Sequence, residues 1–143
     1  MNMAEMNPTN ACFVCGGANP RGMRLEFDQD DARRRIVGRF RLGPEYQGGK
    51  GFIHGGIIAT VLDEAMGKVC RFSEVRAVTA ELTIEYLKPV PVDGDIVVEA
   101  FAERRNGRQL FHQGEIRNAA GEVLARGRGR FVVVDPAQFE VGA

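Results

Sequence analysis

The stretch HGGIIATVLDEAMG, His54 to Gly67, sets two adjacent acids, a histidine and two leading glycines into what otherwise reads as a buried helix. From Ile57 onward the large apolar residues are Ile57, Ile58, Val61, Leu62, Met66 and Val69, spaced so that they share one helical face. The opposite stripe, Gly56, Ala59 or Thr60, Asp63 and Gly67, is small wherever it is not acidic. A solvated face favours long charged side chains, whereas small residues at helical spacing admit another helix or a ligand. Asp63 is therefore expected in a crowded, partly dry groove, where a carboxylate can act as a general base. The plainer alternative is an exposed acid beside a loose helix start. Glu64 points about 100° away around the helix and is the fallback base.

Gly55 and Gly56 lie where this helix begins. The first N–H groups of a helix are unpaired and point out along the positive end of its dipole. A glycine there lets a substrate carbonyl approach the amides, which would form an oxyanion hole; a tight loop-to-helix turn explains the same pair equally well. Distance sharpens the functional alternative. Gly55 and Asp63 are eight residues apart, roughly 12 Å along a helix at about 1.5 Å per residue. One carbonyl cannot bond the Gly55 amide while its carbon is attacked from Asp63 of the same helix. If both act, they come from different chains, with two helices antiparallel across a dyad, and catalysis requires a dimer.

Outward from the helix, the chain reads as strands. Met23, Leu25 and Phe27 alternate with polar residues, and Ile36, Gly38, Phe40 and Leu42 suggest a partner strand across the turn DQDDARR. GPEYQGGKG, Gly43 to Gly51, reads as a flexible loop. After the helix, strands are expected over 78–87, 95–103, 109–117 and 123–134, with Asn106-Gly107 as a hairpin turn. The sum is α+β: a short hairpin, one long helix, then about four antiparallel strands. One helix cannot cover both faces of such a sheet, so the sheet should wrap it on one side and present its other surface or an edge to a partner subunit.

With 143 residues the chain suits one domain. Its expected extent is 11–136, after a disordered lead-in over 1–10 and before a C-terminal tail over 137–143. Nineteen basic residues balance nineteen acidic ones, so no net field favours nucleic acid or an anionic membrane. No apolar run approaches the roughly 20 residues of a spanning helix. MNMAEMNPTN lacks the charged and apolar regions of a signal peptide. The odd set Cys12, Cys15 and Cys70 suggests no disulfide framework, and a cytoplasmic setting is expected. Cys12-Phe-Val-Cys15 has half a zinc knuckle's spacing, but structural zinc takes four ligands and no second CxxC follows. A turn with buried thiols and no metal is the expectation.

Three stretches together, YQGGKGFIHGGIIATVLDEAMG, TAELTIEYLKPVPVDG and RRNGRQLFHQGEIRNAAGEVLARGRGRF, resemble the hotdog-fold acyl-CoA thioesterases of the PaaI (phenylacetate-degradation) type. CFVCGGANPRGMRLEF is similar to an N-terminal segment of one branch of that family, and the resemblance covers nearly all of 11–134. It implies a hotdog fold, a curved antiparallel sheet wrapped around one long central helix, dimerised edge to edge and often assembled into tetramers. It also implies hydrolysis of an acyl-CoA thioester to CoA and a carboxylic acid, with no metal or other cofactor. Asp63 aligns as base or nucleophile, the Gly55 amide of the partner subunit as oxyanion donor, and the Thr79 hydroxyl as a group that orients water. Where some relatives carry an asparagine before the HGG motif that also contacts the thioester, this chain has Gln47 as the substitute. His54 either bonds the thioester region or holds its loop against the sheet, the second role being favoured. Arg104, Arg105 and Arg108 cluster at a hairpin tip and are candidates for the CoA phosphates, in competition with Arg126, Arg128 and Arg130 and with an ordinary solvated turn. The competing readings are a non-catalytic acyl-CoA sensor on the same fold, and a hotdog hydratase or dehydratase.

Overall fold

The computed structural model describes residues 9–135. The expected C-terminal tail and the lead-in up to residue 8 lie outside the described residues. Asn10 does not behave as lead-in: its Oδ1 accepts from the Cys12 N–H at 3.0 Å and its carbonyl accepts from the Ala18 N–H at 2.9 Å.

Six strands and one long helix follow one another along the chain. Strands β1 (Phe27–Asp30) and β2 (Arg35–Phe40) precede helix α1 (Gly55–Lys68). Strands β3 (Ala77–Tyr86), β4 (Ile96–Asn106), β5 (Gln109–Asn118) and β6 (Val123–Val133) follow it. The sheet order is β1-β2-β4-β5-β6-β3, every pairing is antiparallel, and β1 and β3 form its two open edges. Gly107 takes φ +61° at the β4–β5 turn, the left-handed conformation that makes Asn-Gly a hairpin turn.

The helix lies across the inner face of this sheet because its apolar stripe has nowhere else to go. Ile58, Val61, Leu62, Ala65 and Met66 are buried, and they meet Val98 and Ala100 of β4, Leu110 and Ile116 of β5 and Phe131 of β6 in one core. Two glycines let the helix settle close to the strands. A Cβ at Gly114 would stand 3.2 Å from Leu62 Cδ2, and one at Gly127 would stand 3.0 Å from Met66 Cε. Sheet positions without side chains thus form the trough that Leu62 and Met66 fill.

Two elements differ from the expected ones. Met23 and Leu25 are buried at alternate positions, but this segment belongs to no sheet strand. Their N–H groups donate to the Phe13 and Val14 carbonyls at 2.7 and 2.8 Å, so an N-terminal turn takes the backbone partners a neighbouring strand would have offered. The Gly43–Gly51 segment, expected as a flexible loop, contains a short 3-10 turn over Pro44–Tyr46 and a Gly48 N–H bond to the Phe52 carbonyl at 2.9 Å. It is folded because the Gln47 side chain closes it, Oε1 accepting from the Gly51 N–H at 2.8 Å.

Candidate active site

Asp63 sits on the ninth residue of α1, half-buried, at the side of the helix that faces the edge strand β3. Thr79 of β3 donates from Oγ1 to Asp63 Oδ1 at 2.8 Å. A break in strand register makes this contact. Thr79 pairs with Phe131 of β6 whereas Glu81 pairs with Arg130, so Ala80 is an extra residue and β3 carries a bulge. With strict alternation Thr79 would share the outer face with Glu81 and Thr83. The bulge turns it instead onto the face of Leu82 and Ile84, toward the helix.

The helix start is arranged by His54. Its Nδ1 accepts from the Gly56 N–H at 2.9 Å, making the imidazole the N-cap. Its backbone N–H donates to the Tyr46 carbonyl at 2.8 Å, which ties the preceding loop to the same point. These two bonds join the loop to the helix start through His54. The cap also separates the two glycines. Gly56 has spent its N–H on His54, and a Cβ there would press on Nδ1 at 3.1 Å, so its small size serves the cap. This removes its amide from the expected substrate contacts. The Gly55 N–H has no acceptor among the described residues. A Cβ at Gly55 would meet Tyr86 only at an ordinary 3.5 Å, so packing within the chain does not demand glycine there.

Tyr86, which sequence reasoning passed over, closes the same corner by donating its hydroxyl to the Gly55 carbonyl at 2.7 Å. Beside it lies a groove of about 290 Å³ lined by Phe52, Ile58, Tyr86, Leu87 and Val90, with Phe52, Tyr86 and Leu87 exposed. A tyrosine at the far end of a β-rich run offers no local clue to such a role; only the fold brings it to the helix start. Gln47 stands nearby in the loop, its carboxamide oxygen committed to Gly51 and its Nε2 with no protein partner among the described residues.

Asp63 thus lies eight residues along the same unbroken helix from Gly55. Thr79 and Asp63 lie at the end of β3 where Val78 and Val132 align with Gln109, beside the β4–β5 hairpin tip. The arginines of that tip are partly engaged already. Arg104 stacks over the Phe111 ring at 3.6 Å, Arg105 bonds the Gly107 carbonyl at 2.9 Å, and Arg108 bonds the Val133 carbonyl at 2.8 Å. On β6, Arg126 pairs with Glu85 and Glu115 and Arg130 with Glu81. Arg128 has no acidic partner among the described residues and shares a groove of about 220 Å³ with Arg104.

Glu64, the fallback base, is not near Thr79. Its carboxylate takes the Cys12 thiol at 3.6 Å and the buried Lys68 ammonium at 3.5 Å. Lys68 Nζ in turn lies 3.2 Å from Cys15 Sγ. Burial, then the neighbouring Glu64, push the Cys15 thiol above its ordinary range, and burial pushes Cys70 up to about 11.

Residues 50–125 match the family model described as thioesterase superfamily. The chain is 39% identical over 116 residues to the acyl-coenzyme A thioesterase THEM4 of Rattus norvegicus, covering 80% of this chain and 50% of that protein. It spans about half the length of the curated THEM4 relatives from rat, mouse and cow that it matches. Among solved structures, a thioesterase superfamily protein superposes with TM-score 0.81 at 27% identity, over 88% of this chain and 62% of its own. A hypothetical thioesterase from Streptococcus pneumoniae, crystallised with coenzyme A, gives 0.71 at 20% identity over 77% and 88% of the two chains. The E. coli PaaI protein of the phenylacetic acid degradation operon gives 0.67 at 20% identity over 71% and 74%. The fold is the hotdog fold these proteins share, with its sheet left open.

Proposed function

The chain belongs to the thioesterase superfamily, and from that premise we propose that it hydrolyses an acyl-CoA thioester to CoA and a carboxylic acid. The observation that carries the reading is the 2.8 Å bond between Thr79 and Asp63 at the edge of the sheet. Because Thr79 donates to Oδ1, the second carboxylate oxygen is left to take a proton from water or to attack the thioester carbonyl directly. The lone pairs of the Thr79 oxygen can at the same time accept from that water and hold it in place.

The reaction also needs donors for the negative charge that develops on the carbonyl oxygen. Gly55 supplies one from the helix start, but on its own chain it is eight residues from Asp63, roughly 12 Å away. A dimer brings the two together. Strand β3 is a ten-residue open edge with Val78 and Tyr86 exposed along it and Leu87 exposed just after it, a surface that a second β3 would cover. Antiparallel pairing of the two edges sets the Gly55 of one protomer beside the Asp63 of the other, and makes two equivalent sites per dimer. The groove beside Gly55 takes the apolar part of the substrate. Arg104 and Arg128, which share one groove, are the candidates for the phosphates of CoA.

Thiol release from a panel of acyl-CoAs tests the assignment. Turnover by the wild-type chain and its loss in Asp63→Asn are expected. Binding without turnover, or hydrolysis indifferent to the substitution, would overturn it.

A further inference from the structure

The N-terminal turn carries chemistry that thioester hydrolysis does not use. Cys12, Cys15 and Glu64 place one ligand atom each within 4.8 Å of one another, two from the turn and one from the middle of α1. We propose that these three side chains bind one Zn²⁺ ion, with water as its fourth ligand.

The turn already has the form that a CxxC pair takes around a metal. The Val14 N–H points at Cys12 Sγ at 3.4 Å, and the Gly16 N–H closes the turn onto the Cys12 carbonyl at 2.9 Å. Only glycine fits after the second cysteine, since a Cβ at Gly16 would lie 2.4 Å from the Cys12 nitrogen. Asn10 donates to Cys15 Sγ at 3.4 Å, so both sulfurs have a nitrogen donor of the kind that stabilises thiolates. Two cysteines alone fall short of a site, and the fold supplies the third ligand from 52 residues away. Cys12 Sγ stands 3.6 and 3.7 Å from the two Glu64 oxygens. That matches the separation of about 3.5 Å that a tetrahedral ion with bonds of ~2.3 Å to sulfur and ~2.0 Å to oxygen imposes.

Charge balance agrees. Without metal, two thiols, one carboxylate and the Lys68 ammonium sum to zero. Binding breaks two S–H bonds, forms two Zn–S bonds and one Zn–O bond, and releases two protons, so the sum remains zero. Lys68, only 6% exposed, then bonds the Cys15 thiolate from outside the coordination sphere. Cys12 is half-buried, which leaves an entry path. The ion would pin the N-terminal turn to the helical turn that bears Asp63.

The test uses the reduced full chain stripped of metal with a chelator, and Co²⁺ as the spectroscopic probe. One Co²⁺ per chain with sulfur-to-cobalt charge-transfer absorption is expected, displaced by Zn²⁺ and absent from Cys12→Ser and Cys15→Ser. Glu64→Gln should weaken binding at least about tenfold, and Zn²⁺ should raise the urea midpoint of the wild type. The wild-type spectrum and midpoint decide the matter even where a variant fails to fold. The proposal falls if no charge-transfer band forms in excess Co²⁺, if the band survives loss of both cysteines, or if the thiols pass to a Cys12–Cys15 disulfide with no cobalt bound.

Discussion

Thr79 Oγ1 has two partners in the proposed reaction: its hydrogen goes to the Asp63 carboxylate, and its lone pairs accept from the attacking water. A hydrogen bond to a charged group contributes about 1.5–3 kcal/mol, so Thr79→Ala should lower kcat by roughly one to two powers of ten while leaving the fold intact. Thr79→Ser, which restores the hydroxyl, should recover most of that loss, and steady-state kinetics on both variants checks it. A merely structural Thr79 would instead lower the unfolding midpoint without selectively affecting kcat. As a candidate, Asp63 is legible from its place on a stripe of small residues. Thr79 is not: alternation along TAELTIEYL sets it with the outward residues, and only family resemblance singles it out. The bulge that turns it inward depends on pairing with β6, which no local pattern announces. Gly55 and Gly56 show the same limit, since two identical neighbours are told apart only by where the His54 ring goes.

At the scale of elements, the helix and the strands behind it were readable because period 3.6 and period 2 are imposed by a single core. What escaped was burial that depends on distant partners. Lys68 ends α1, where a lysine usually faces water, yet the N-terminal turn folds over it with Cys15 and Glu64 as its partners. The close seating of α1 gives a sharp prediction. Gly127→Ala places a methyl 3.0 Å from Met66 Cε and 3.3 Å from Ile84 Cδ1; the flexible methionine end can give way, so the cost should be only about 1 kcal/mol, read as a lower urea midpoint with an unchanged m-value. His112, under the same helix, gives a pH dependence. Buried at 2% exposure, it donates Nδ1–H to the Met66 carbonyl at 2.8 Å and stacks on Phe131. Burial, partly offset by that bond, holds its pKa below the ordinary histidine value. Below about pH 6.5 the unfolded chain therefore binds more protons than the native one. The stability of the neutral form is complete above that pH and is lost as pH falls toward the lowered native value. Chemical denaturation between pH 7.5 and 5 should show this decline, with a slope of at most about 1.4 kcal/mol per pH unit from this group, and His112→Gln should flatten it.

The whole molecule raises the question of how many chains make a site, and the geometry of one helix allows a decisive experiment. Gly55 is the first residue of α1, where proline is tolerated because the N–H it lacks has no helical partner. His54 before it has φ −58° and ψ 134°, the extended conformation that a following proline prefers. Gly55→Pro therefore deletes the proposed oxyanion donor with little demand on the backbone, as Asp63→Asn deletes the proposed base. Each homodimer should be inactive. When the two are unfolded together and refolded at equal amounts, half the dimers are mixed. In a mixed dimer one site combines both defects, and the other combines an intact Asp63 with an intact Gly55 from across the dyad. Recovery of about a quarter of wild-type activity is then expected from random association of the two kinds of chain. If each chain carried its own complete site, no mixed dimer would contain an intact one, and the mixture would stay as inactive as its parents.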